Sequence, residues 1–171
     1  MTISETIAVT GATGQLGRLV IADLLRIAPA AHVIGLVRNA AAAKDLADRG
    51  VELRTADYND PASVAAALTG VDKLLLISAS EIGQRVRQHR NVIDAAKAAG
   101  VKLIAYTSLL RADTSPMALA VEHRETEALI RASSIPFVIL RNGWYVENYD
   151  LKSALEHGLY GAAGNLSLIH I

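Results

Sequence analysis

Three glycines near the start of the chain punctuate the run Val9-Thr10-Gly11-Ala12-Thr13-Gly14-Gln15-Leu16-Gly17. They follow a short apolar run, Ile7-Ala8-Val9-Thr10, and open an amphipathic segment from about Gln15 to Ile27. In that setting a glycine trio reads as a strand-to-helix turn that can receive phosphate. Gly11 permits a tight turn, and Gly14 lets backbone approach a diphosphate with no Cβ in the way. Gly17 lets the helix pack closely on a sheet, and the free amides of the first helical turn face the phosphates. The Gly-x-x-Gly-x-x-Gly spacing is one residue wider than the common dinucleotide fingerprint; its plainer reading is an ordinary strand-to-helix turn.

Two further positions refine the ligand. A dinucleotide site that takes NAD places a carboxylate after the second strand for the ribose hydroxyls, and that carboxylate would repel a 2′-phosphate. Here the segment is Leu36-Val37-Arg38-Asn39. A guanidinium there can pair bidentately with phosphate and stack on adenine, so Arg38 favours NADP(H) over NAD(H); the alternative is a solvated surface arginine. Asp57, after the third apolar run, is placed to accept from the adenine amino group, or equally to cap the turn before Asn59-Asp60-Pro61.

The elements that must carry these residues follow from periodicity. Strands are expected at 7–10, 33–37, 51–55, 73–78, 103–107 and 136–141, and helices at 15–27, 40–49, 61–68, 86–99 and 117–133. Lys73 to Ser78 is nearly all apolar, as befits a strand covered on both faces. Strands alternating with helices imply an α/β fold, a Rossmann-like doubly wound parallel sheet with right-handed crossovers and helices on both faces.

Composition agrees. The 171 residues are 51% hydrophobic and 20% charged, with 17 basic and 17 acidic side chains, so no net field draws in nucleic acid. With no cysteine, disulfides and thiolate chemistry are excluded. The N-terminus lacks the pattern of a signal peptide and no apolar run is long enough to span a bilayer, so a cytoplasmic location without membrane insertion is expected. The oligomeric state is left open, a homodimer included.

With these residues placed, the chain resembles the NmrA-like group of atypical short-chain dehydrogenases/reductases, and within it the bacterial NADPH-dependent quinone oxidoreductases. The stretches Leu75-Leu76-Ile77-Ser78, Gln88-His89-Arg90-Asn91-Val92-Ile93-Asp94-Ala95-Ala96-Lys97, Ala105-Tyr106-Thr107-Ser108-Leu109 and Leu140-Arg141-Asn142-Gly143-Trp144-Tyr145 carry the resemblance. It implies that Gly11, Ala12, Thr13, Gly14, Gln15 and Leu16 hold the pyrophosphate of NADPH and Arg38 its 2′-phosphate. Ser78, Ala79 and Ser80 would line the path toward the nicotinamide, and Asn142, Gly143, Trp144, Tyr145, Val146 and Glu147 would wrap the nicotinamide end. Members of the group continue well past this chain, so residues 1–164 are expected to be an NAD(P)-binding domain whose substrate-side C-terminal part is missing. The final segment 165–171 matches no pattern before it and is expected to be non-native, a short genuine strand being the alternative.

The superfamily's Tyr-x-x-x-Lys pair is absent. By register Leu119 and His123 take the two places, which argues against ketone reduction by a tyrosine acid. A quinone needs less general-acid help, because the hydroquinone anion is delocalised over its ring. The implied activity is hydride transfer from NADPH to a quinone, with catalytic candidates His123 and Tyr145; Trp144 and Tyr145 would stack on a flat substrate and Asn148 bond its oxygen. His123 could instead be an exposed helical histidine, and His89 is expected to cap or pack within its helix. An NADP(H)-binding redox sensor without turnover is the alternative function, and a nucleotide-sugar epimerase or dehydratase is disfavoured by the missing tyrosine.

Overall fold

The computed structural model describes residues 5–143 and 145. Six strands form one parallel sheet: β1 (Thr6–Val9), β2 (His32–Val37), β3 (Glu52–Thr55), β4 (Lys73–Leu76), β5 (Leu103–Leu109) and β6 (Phe137–Asn142), in spatial order β3-β2-β1-β4-β5-β6. The order reverses between β1 and β4, so a crevice opens there at the carboxyl edge of the sheet. The helices are α1 (Gln15–Ile27), α2 (Lys44–Ala47), α3 (Pro61–Ala67), α4 (Arg85–Ala98) and α5 (Ala118–Ala132). Among the described residues no helix is long and apolar enough to cross a membrane.

Alternation along the strands divides the core into two layers. Ala8, Ile34, Leu36, Leu74, Leu76, Ile104 and Tyr106 pack against Val64, Val92, Ile93, Ala96 and Ile130 from α3, α4 and α5, and against Leu68 just beyond α3. Val9, Val33 and Val37 face Ile21 of α1 and Leu46 of α2 on the other side. Asp60 caps α3 by accepting from the amides of Ala62 and Ser63, with Pro61 at the first helical position.

Three elements differ from expectation for local reasons. The helix expected over 40–49 is a short 3-10 turn, Ala40–Ala43, followed by α2; Asn39 starts that turn by accepting from the Ala41 amide at 3.0 Å. β4 stops at Leu76 instead of Ser78 because side-chain hydroxyls take over its ladder. The Ile77 amide donates to Thr10 Oγ1 at 2.8 Å and the Ser78 amide to Thr107 Oγ1 at 2.9 Å. β5 runs on to Leu109 because β6 stays paired with it as far as Asn142.

Gly17 shows why α1 can start so soon after β1. A Cβ built there would stand 2.9 Å from the Ala12 Cα and closer still to the Gly11 carbonyl oxygen. The helix therefore packs on the turn itself, a tighter constraint than the packing on the sheet expected from sequence. At the far side of the sheet Glu127 is buried and joins α5 to β5 and β6. It accepts from Ser108 Oγ at 2.7 Å, from Arg141 Nε at 3.0 Å and Arg141 Nη2 at 2.9 Å, and from Arg131 at 3.0 Å. β6 leaves Phe137, Val138 and Leu140 partly exposed.

Gly17→Ala should destabilise the fold by about 1–3 kcal/mol through overpacking, despite alanine's better helix propensity. Thermal unfolding would register this, and an unchanged midpoint would show that the turn can give way. Glu127 supplies a second expectation. Burial raises its pKa, but hydrogen bonds from Arg141, Ser108 and Arg131 outweigh it and bring the carboxyl down to about 2. A folded-state pKa below the unfolded value stabilises the protein above that unfolded value and is lost as pH falls toward the folded one. Denaturant titrations should therefore show stability falling from about pH 4.5 toward pH 2, with Glu127→Gln flattening that slope.

Candidate nucleotide site

All six strands end at the same edge, so the residues that follow them are brought together there. Gly11 turns the chain out of β1 in the left-handed region, φ +58°, and the Gly14 amide returns to the Gly11 carbonyl at 2.9 Å. Gly14 is the N-cap residue of α1 and makes no side-chain cap bond, and the first turn holds no acidic residue. The first intrahelical acceptor is the Gly14 carbonyl, taken by the Arg18 amide at 3.0 Å. The amides of Gln15 and Leu16 thus remain free of partners among the described residues. Unpaired amides and an uncompensated helix N-terminus make a seat for an anion.

A cleft of about 300 Å³ extends from this turn across the ends of β2, β3 and β4. Of the residues expected at the site, Gly11, Thr13, Gly14, Arg38, Asp57, Ser78, Ala79 and Ser80 line it. Ala12 is fully buried beneath the turn and offers the cleft no side chain. Asn142, Gly143 and Tyr145 lie at the end of β6, two strands away from β4, and do not line this cleft. Asn142 Nδ2 donates to the Tyr145 hydroxyl at 2.7 Å. Trp144, Val146, Glu147, Asn148 and the tail 165–171 lie outside the described residues.

The two cations near the turn differ in their commitments. Arg18 donates to the Thr13 carbonyl at 3.1 Å and is ion-paired with Asp45. Arg38 stands exposed on the cleft wall with no ion pair or hydrogen bond among the described residues. Asn39, where an acid would oppose a phosphate, is occupied in capping. Asp57 makes the turn that was one of its two readings, its Oδ1 accepting from the Asn59 amide at 2.9 Å, and it also lines the cleft. The helix cap itself is Asp60.

Sequence reasoning missed the outer wall. Asn59, Glu81 and Gln88 also line the cleft. Gln88 Nε2 donates to Glu81 Oε2 at 2.8 Å, joining α4 to the loop after β4. The helical period of α4 could have pointed to Gln88, because it shares a buried face with Arg85, Val92 and Ile93.

Both histidines singled out from the sequence, His89 and His123, are buried. His123 is only 5% exposed, which corrects the reading of an exposed helical histidine, and its Nδ1 lies 2.7 Å from the Tyr106 hydroxyl. Burial, then the charge of Arg85, lowers its pKa to about 4, so it is neutral at pH 7. It lies one turn beyond half-buried Leu119 on α5 and is absent from the cleft wall. His89 bonds outside its own helix, to the Ala79 amide at 2.9 Å and Thr126 Oγ1 at 3.0 Å. Beside them buried Arg85 and half-buried Glu122 form an ion pair that also grips the loop after β4. Arg85 Nε donates to the Ala79 carbonyl at 2.7 Å, and Glu122 Oε1 accepts from the Gly83 amide at 2.8 Å.

This geometry has counterparts. Quinone oxidoreductase 2 of Escherichia coli (strain K12) is 60% identical over 162 residues, which cover 93% of this chain and 57% of that protein. The crystal structure of an NADPH-dependent quinone oxidoreductase from Escherichia coli, complexed with NADPH, superposes with a TM-score of 0.84 at 60% identity, over 89% of this chain and 54% of that one. The triphenylmethane reductase of Citrobacter sp., complexed with NADP(H), gives a TM-score of 0.84 at 47% identity, over 88% and 55% of the two chains. The chain thus spans little more than half the length of these relatives. The family defined by NAD(P)H binding matches residues 11–161, beginning at the first glycine of the turn, and the chain belongs to that family.

Proposed function

We propose that this chain binds NADPH across the carboxyl edge of the sheet and forms the nucleotide-holding part of an NADPH:quinone oxidoreductase. The observation that carries the reading is the pairing of an uncapped, glycine-lined helix start with an uncommitted Arg38 on the same cleft wall. The lining suits the group: Gly11, Thr13 and Gly14 bring the turn's backbone to the cleft, and a Cβ at Gly14 would crowd the Gly11 carbonyl oxygen at 3.2 Å, so the turn keeps its tight course only without a side chain there. The amides of Gln15 and Leu16 would hold the diphosphate, Arg38 the 2′-phosphate, and Asp57 the adenine amino group. Ser78, Ala79 and Ser80 would line the path to the nicotinamide, and the residues from Asn142 to Glu147 would enclose its far end.

Bound there, NADPH supplies a hydride. The chain's own contribution is position and the exclusion of water. Leu119 has no ionisable proton and His123 does not line the cleft, so neither is placed to act as the general acid of ketone reduction. A quinone, which takes up charge into its ring, suits such a site. The similarity to the quinone oxidoreductases, at 60% identity, supports the same substrate class.

Arg38→Ala should weaken NADPH binding by about 1–3 kcal/mol while leaving NADH nearly unchanged, as read by fluorescence titration of both cofactors. Equal losses for the two would remove Arg38 from the 2′-phosphate. Mixed with NADPH and a simple benzoquinone, the full-length protein should consume the cofactor faster than the uncatalysed reaction. Binding without consumption would favour the redox-sensor alternative.

A further inference from the structure

Between β4 and α4 the backbone leaves the sheet and becomes one wall of the cleft, and two buried side chains, His89 and Thr126, help decide its course. The Ala79 amide can only donate, and it lies 2.9 Å from His89 Nε2, which must therefore present a lone pair. A neutral imidazole with a bare Nε2 carries its hydrogen on Nδ1. That nitrogen is 3.0 Å from Thr126 Oγ1, which accepts the hydrogen and donates its own to the Glu122 carbonyl at 2.9 Å. With a pure donor at one end and a pure acceptor at the other, every hydrogen along Ala79–His89–Thr126–Glu122 has a single direction. Burial, reinforced by the charge of Arg85, lowers the His89 pKa to about 3, consistent with this neutral form.

The relay is one of several ties on the same loop. The Ser78 amide is held by Thr107, the Ala79 carbonyl by Arg85 and the Gly83 amide by Glu122. Between them the Ser80 amide has no partner among the described residues, and Ser80 lines the cleft. We propose that His89 is a positioning residue of the nucleotide cleft, with its tautomer set by Thr126: together they draw the Ala79 amide inward and leave that of Ser80 open to the bound nucleotide. The assignment rests on the cleft being the NADPH site. Nothing in it requires His89 to touch the ligand. An imidazole carrying its hydrogen on Nε2 would set two donors against each other at Ala79 and release the wall.

Valine matches threonine in shape but lacks the hydroxyl, whereas serine keeps it, so the two substitutions separate packing from hydrogen bonding. Thr126→Val should raise the NADPH dissociation constant roughly 3- to 30-fold, and Thr126→Ser should stay near the wild-type value. Nitrogen-15 NMR of the imidazole should show wild-type His89 protonated on Nδ1 and bare on Nε2. A wild-type His89 with hydrogen on Nε2, or a folded Thr126→Val chain that binds NADPH as tightly as wild type, would overturn the proposal. The wild-type spectrum needs no variant and remains decisive if Thr126→Val does not fold. Failure of the wild-type chain to bind NADPH at all would sink the cofactor reading, and the positioning role with it, while the tautomer still reports on the relay alone.

Discussion

A helix can begin this close to the end of β1 only because position 17 has no side chain. The axis of α1 is pressed against the Gly11 peptide, and that contact aims the helix start at the crevice where strand order reverses. An uncapped N-terminus is a cost in most helices, since its amides must be satisfied by water. Here the first turn carries no acidic side chain that would fill the seat from within. The fold leaves this end unsatisfied by the chain's own residues, at the place where the sheet opens.

The sheet and most helix bounds were legible because their signals are local and repeated: apolar runs of strand length, and glycine or proline at their ends. Arg38 and Asp57 were legible as cleft residues because each follows the end of a strand whose neighbour is known. The outer wall was not, because Asn59, Glu81 and Gln88 are assembled from three elements whose mutual approach no short-range pattern reports. The histidines were misread for a related reason. A polar residue on an amphipathic helix looks solvated until its partners are known, and those of His89 and His123 lie on other elements. Gly17 was placed correctly as a close-packing residue, but what it packs against depends on the path of the turn.

The buried polar groups on this side of the sheet share a logic. Arg85, His89, His123 and Glu122 sit together in a largely buried cluster, and an ion pair in such a place is weak evidence of stabilisation. What they have in common is the loop between β4 and α4, bound at several backbone atoms. A loop so held arrives at its ligand with its shape already decided, and binding then need not supply the entropy of ordering it.

The hydroxyls of Thr10 and Thr107, which receive the amides of Ile77 and Ser78, give that loop a further property. Its anchorage is scattered over β1, β5, α4 and α5, none of which is adjacent to it in sequence except α4. The segment is therefore not a portable module. Grafting a relative's loop to alter ligand preference would succeed only with its distant hydroxyl, imidazole and carboxylate partners transplanted as well, so changes at this wall must come as correlated sets.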